Sequence, residues 1–200
     1  MTEQEVYQFY NEIVKIAYSE IEARKNIIPV ELLFEIHSAF DHLKRFHLGE
    51  EEETAASTKA YSHLKRGVLD AYKLKLKYFN EDYEKYFKKN PELRIIDSGR
   101  FYPRALKLKK EIVSSAKVAR ITESKKENDV AFENWYKTSL LIDEFEDEFF
   151  DVEKLSWSKK QGYFQFGFNF LIGIIAGVIA SAIFAYIMFL LNKWQFAQFR

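Results

Sequence analysis

The sequence predicts an all-α protein: a cytosolic bundle of four or five helices, some of them long, followed by a single C-terminal transmembrane helix. Three observations carry this. Apolar residues recur at three- and four-residue steps through most of the chain, and no stretch sustains the two-residue alternation of a strand. Toward the end of the sequence, 32 uncharged residues separate Lys160 from Lys193. About 20 are enough to cross a hydrocarbon layer of about 30 Å.

Taken in order, Thr2 and Glu5 form a capping-box pattern ahead of Val6, Phe9, Tyr10, Ile13, Val14 and Ala17, the apolar face of a first helix. It stops before Pro29, which suits the first position of a second helix carrying Leu32, Leu33, Ile36, Phe40, Leu43 and Phe46. Gly49 ends that one. A third, long helix begins in the run Glu50 to Thr54 and reaches toward Asn90, with Gly67 inside it. Pro91 to Pro103 is rich in turn residues. Beyond it, Ala105 to about Glu127 and Val130 to about Val152 read as two further helices or one bent one. The expected organisation is a helical sensor and assembly domain over 1–155, a juxtamembrane linker over 156–164, the transmembrane helix over 165–192 and a short tail over 193–200.

The formal net charge of zero conceals three blocks. Residues 1–60 carry 6 Lys and Arg against 12 Asp and Glu, residues 61–126 carry 18 against 8, and residues 127–160 carry 4 against 10. A basic middle between acidic ends marks either an anion-binding face or charge pairing between helices of one bundle. The absence of cysteine excludes a disulfide framework or thiolate metal site. No apolar run near Met1 resembles a signal peptide, so the helical domain is expected in the cytosol and the chain as a single-pass protein of the cell membrane.

The span has its apolar centre over Phe170 to Leu191, with Trp157, Tyr163, Trp194 and Phe196 as interfacial anchors and Lys154, Lys159 and Lys160 on the entry side against Lys193 and Arg200. Gly173, Gly177, Ser181 and Ala185 fall four apart, a series continued upstream by Asn169 and Gln165. Small residues at this spacing let helix backbones approach closely, and packing of that kind drives association where lipid gives apolar side chains no reason to cluster. A homo-oligomer through this helix follows. Gln165 and Asn169 either bond across helices or at the interface, or they face water in a pore. A single span conducts only as a ring of copies, and in such a ring the seven acidic residues between Asp143 and Glu153 would favour cations; the alternative is a solvated helix face.

A second pattern lies in the domain. Ala39-Phe40-Asp41-His42-Leu43-Lys44-Arg45 is echoed 21 residues later by Ala60-Tyr61-Ser62-His63-Leu64-Lys65-Arg66. If helices two and three form an antiparallel hairpin, His42, Arg45, His63 and Arg66 converge. Such a group suits phosphate, because arginine offers a bidentate fork and histidine adds donors. A nucleotide or oligonucleotide regulator is one partner this would fit. The alternative is a polar network tying two helices, with Glu35 and Asp70 as counter-charges, and 21 is also three heptads, so packing alone can produce the echo. No glycine-rich phosphate loop, zinc motif or nucleophile elbow is present, so no enzyme, cofactor or metal is expected.

A small cytosolic all-α domain followed by a terminal transmembrane helix resembles, in architecture, the membrane effectors of bacterial anti-phage defence, such as CBASS-like and Hailong-type effectors. The His-Leu-Lys-Arg pair and the Gly173 to Ala185 series carry the resemblance. It implies an oligomeric, signal-gated channel or membrane-disrupting protein, in which an anionic nucleotide or nucleic-acid ligand acts on the cytosolic domain. Many such effectors have two or four spans, whereas this sequence has one. Two other classes remain: a tail-anchored adaptor that brings partner proteins to the membrane, and a membrane-tethered nuclease using His42, His63 and the arginines.

Overall fold

A computed structural model describes the backbone of residues 1–198 and the side chains of residues 1–189. Those residues are almost entirely helical, with no strand among them. The side chains of Lys193, Trp194, Phe196 and Arg200, expected at the far flank of the span, lie outside the described residues.

Helix α1 (Glu3–Phe9) starts as its sequence dictates. The Thr2 hydroxyl accepts from the Glu5 amide at 3.3 Å, and the Glu5 carboxylate accepts from the Thr2 amide at 2.6 Å. A π-helical turn over Tyr10–Val14 joins it to α2 (Lys15–Lys25). Eight residues of ordinary α-helix would place Val14 about 80° around the axis from Val6. The wider turn takes up that offset, and both side chains are fully buried. Asn26, in the left-handed conformation, stops α2. Pro29 sits one residue earlier than expected, as the cap before α3 (Val30–His47). Gly49, at φ +74°, turns the chain beyond α3.

Helix α4 (Glu53–Tyr83), extended by a π-helical turn over Glu84–Lys88, is the spine of the bundle. It pairs with α3 as a hairpin, supports α1 and α2, and touches α6 (Asn128–Phe149), which forms a second hairpin with α5 (Phe101–Ser124). The turn-rich stretch resolves into 3-10 turns over Pro91–Gly99, interrupted by left-handed Asp97 and Ser98, with Pro103 in the first turn of α5. The chain therefore forms two separate helices where one bent helix was an alternative.

Two features set the spacing of these helices. Gly67 faces α3, where an added Cβ would stand 2.7 Å from Leu32 Cδ1 and 3.0 Å from the Glu35 Cβ. The missing side chain is what lets α3 lie this close. Lys75 is buried on α4 and its Nζ meets Glu20 and Asp143, each at 2.7 Å, and the Ser139 hydroxyl at 2.9 Å, linking α2, α4 and α6. Arg24 joins the same three helices through Asp82 at 3.0 Å and Glu146 at 2.5 Å.

An aromatic cluster closes the end of the bundle nearest the span. Phe145 lies edge-on to Phe79, Phe87 and Phe150, and Phe101 packs edge-on against Phe149. From this end α7 (Val152–Gln198) departs. Asp151 caps it, accepting from the amides of Glu153 at 2.9 Å and Lys154 at 3.0 Å, and Tyr86 donates to the Asp151 carbonyl at 2.5 Å. Leu155 joins the core, Ser158 is fully buried, and Gly162 lies against Glu92. Residues 156–164 are helical and continuous with the span.

Gly67→Val is expected to force α3 away from α4 and to destabilise the bundle by about 1–3 kcal/mol. A lowered thermal midpoint of the detergent-solubilised chain, followed by circular dichroism, checks this.

Candidate functional site

Two regions carry the residues singled out from the sequence. The first is the surface of α7. Its segment Val152–Phe189 is long and apolar enough to cross a membrane, and among the described residues none buries its most apolar stretch. Nothing lies within 4 Å of a Cβ added at Gly173 or Gly177. The small-residue series is thus open along the helix. Each four-residue step on a straight α-helix advances about 40° beyond a full turn, so the stripe from Gln165 through Asn169, Gly173, Gly177 and Ser181 to Ala185 winds around the axis. A partner following it must cross in the right-handed sense. Ser181 is satisfied within its own helix, donating to the Gly177 carbonyl at 2.8 Å. Gln165 and Asn169 have no side-chain hydrogen bond among the described residues.

The second region is the paired motif on α3 and α4. Ala39, Leu43, Ala60 and Leu64 are its buried half and form part of the core of the hairpin. His42 and His63 come together across it, ring centroids 5.3 Å apart. Arg66 grips Glu35 with both arms, Nε at 2.8 Å and Nη2 at 2.9 Å, while His63 Nδ1 lies 2.6 Å from the same carboxylate. Gly67, next to Arg66, permits the approach that brings Glu35 within reach. His42 faces Glu51 at 3.2 Å, and Lys59 holds the other oxygen of Glu51.

Arg45 does not join this group. It turns back one helical turn to Asp41, at 2.9 Å. Asp70, expected as a counter-charge here, pairs with Lys73 at 3.1 Å, and Lys73 reaches Glu123 of α5 at 2.6 Å. The assembled cluster is therefore His42, His63 and Arg66 around Glu35 and Glu51, with its counter-ions built in. Burial alone would raise the Glu35 carboxyl, but the hydrogen bonds from Arg66 and His63 outweigh it and hold the group below its ordinary value of 4.5.

The acidic run before the span is largely used inside the bundle. Asp143 and Glu146 bind Lys75 and Arg24, Glu148 faces Arg104, and Asp151 caps α7. Glu144, Asp147 and Glu153 are exposed. Lys109 crosses from α5 to lie over the rings of Phe79 at 4.4 Å and Tyr83 at 4.8 Å. Burial there pushes its pKa down to about 8, with Glu84 opposing. No group of three or more potential metal ligands occurs among the described residues.

Sequence reasoning missed Glu51 as a partner of His42, and Lys75 and Arg24 as helix clasps. Asp151 had a readable signal: it stands just ahead of a helical run, where a short acceptor side chain caps free amides. Comparison with family models, curated proteins and solved structures finds no match for this chain.

Because the folded pKa of Glu35 is depressed, its contribution to stability is complete above pH 4.5 and is lost as the pH falls through the lower folded value. Glu35→Gln is expected to cost about 1–2 kcal/mol at neutral pH, and the gap from wild type should close as the pH falls below 4.5. Denaturant unfolding across that pH range provides the measurement.

Proposed function

We propose that this chain is an oligomeric membrane effector, in which α7 assembles with copies of itself and the helical bundle controls how those copies pack. The observation that carries the reading is the state of α7: an apolar helix left uncovered by the other described residues, marked by an open winding stripe of small residues, and joined to the bundle without a break in the helix. Exposed apolar surface on this scale calls for lipid or a partner. A single span encloses no water, so conduction requires several copies around an axis, and Gln165 and Asn169 on the stripe are then available to bond between helices or to line the passage.

We place the bundle in the cytosol, a side favoured only slightly by the excess of Lys154, Lys159 and Lys160 ahead of the span over Lys193 and Arg200 beyond it. Its action as a signal-gated channel or membrane-disrupting protein in bacterial anti-phage defence rests on the likeness of layout. An anionic regulator, a nucleotide or an oligonucleotide, would compete with Glu35 for the fork of Arg66, loosening α3 from α4. Linkage allows such a ligand either to open the assembly or to hold it shut, according to which state leaves Arg66 freer.

Gly173→Leu with Gly177→Leu should leave the chain in the membrane while abolishing its oligomers and its ion flux. Subunit counting and flux in reconstituted vesicles test this, and full activity of the double variant would defeat the channel reading.

A second reading, a tail-anchored adaptor, has its own support. Ile27, Ile28, Val30, Leu33 and Phe34 are all exposed around the start of α3, with Phe34 at 69%. A contiguous apolar patch of this kind is typical of a protein-binding surface. On the adaptor reading, Phe34→Asp should cut partner recovery by about tenfold or more without altering subunit number or flux; a changed subunit number would instead assign the patch to self-assembly.

A further inference from the structure

Where α7 leaves the bundle, it forms a cleft of about 690 Å³ with the segment that follows α4. Its walls carry Lys89, Asn90 and Glu92 on one side and Lys159, Tyr163 and Phe166 on the other. Gly162 forms the floor, packed against Glu92. A volume of this size lies within the range of small-ligand sites.

Three features single out the occupant. Lys89 and Lys159 are exposed and make no ion pair or side-chain hydrogen bond among the described residues, unlike Lys85 and Lys88, which pair with Asp82 and Glu84. Glu92 is half-buried and likewise unpartnered there, so the cleft has a net single positive charge and one free carboxylate. Its height also matters. At about 1.5 Å per residue, Phe166 lies about 6 Å and Tyr163 about 10 Å outside Phe170, where the hydrocarbon centre of the span begins. That places Phe166 in the headgroup layer, Tyr163 at its outer edge and Lys159 on its aqueous side, the order in which aromatic and basic residues flank a span.

We propose that this cleft binds one anionic glycerophospholipid with a hydroxylated headgroup, a site that rests on the reading of α7 as a membrane span. The lipid phosphate takes Lys89 and Lys159. The headgroup hydroxyls donate to Glu92 beside Tyr163, and the glycerol backbone with the first acyl methylenes runs down Phe166. Because the cleft is built half from the bundle and half from α7, a lipid there clamps the angle at which the span leaves the domain.

The experiment uses the full chain in two steps. Flotation with vesicles of phosphatidylcholine alone comes first; failure to float overturns the span and the cleft with it. The chain is then placed in nanodiscs of phosphatidylcholine with a minor fraction of phosphatidylglycerol, and retained lipids are identified by native mass spectrometry. Phosphatidylglycerol should be enriched about tenfold over the bulk. Lys89→Gln with Lys159→Gln should remove the enrichment while flotation persists, and Lys110→Gln with Lys117→Gln, an equal loss of charge on α5, should retain it. No enrichment in the wild type, enrichment unchanged in the Lys89 and Lys159 variant, or equal loss in the α5 variant overturns the site. Preferential retention of phosphatidylethanolamine in its place overturns the anionic assignment.

Discussion

The bundle depends on one buried cation. Lys75 projects from the middle of α4 into a position where Glu20, Asp143 and Ser139 complete its coordination, and so brings helices distant in sequence to one point. Removing an ammonium from water is unfavourable by several kcal/mol, and only nearly complete pairing offsets it. The arrangement is therefore demanding about register: a shift of α2 or α6 along α4 would leave the charge buried without partners. Arg24, with Asp82 and Glu146, imposes a second condition on the same three helices. Burial nonetheless raises the Glu146 carboxyl despite Arg24 beside it. Apolar packing supplies most of the attraction in the bundle, whereas these clasps select one alignment among many that would bury similar area.

That division explains what could be read in the chain. Thr2 with Glu5, Gly49, Pro91 and the apolar periodicity mark elements through chemistry within a few residues, and the helices lie where those signals stand. The π-helical turn over Tyr10–Val14 carries no such signal, because it answers to the need for Val6 and Val14 to share a face. Lys75 was unreadable for a related reason: its carboxylates lie 55 and 68 positions away and become its neighbours only once the bundle exists. The echoed His-Leu-Lys-Arg motif was half legible. Its alanine and leucine are hairpin core, and its histidines meet, but Arg45 finds Asp41 on its own helix before anything across the hairpin. The balance between intrahelical and cross-helical pairing turns on a few ångströms that spacing does not encode.

The uneven charge blocks have the same explanation. The basic middle of the chain comprises α4 and α5, and the acidic ends supply the elements that pack around α4. Glu20, Glu35 and Asp143 from those ends all find their cations on α4. Much of the asymmetry visible along the sequence is therefore cancelled in space, and the cations left over are informative by contrast.

The consequence for function lies in the junction. Tyr86, Asp151, Leu155, Ser158 and Gly162 together fix the first turns of α7 against the end of the bundle, and the helix then continues without a break into its apolar length. A rigid lever converts a small rotation at its base into a larger displacement along its length. The aromatic cluster at that base is contributed by α4, α5 and α6, so a rearrangement of any of them reaches α7 through packed side chains. Packed interiors of this kind tend to move between discrete arrangements and resist continuous deformation. The winding stripe of small residues has a matching property, since backbones that approach closely interlock at particular crossing angles. If the stripe is an assembly surface, as proposed above, the base of the lever and the stripe are both suited to switching, and the helix between them would couple one to the other.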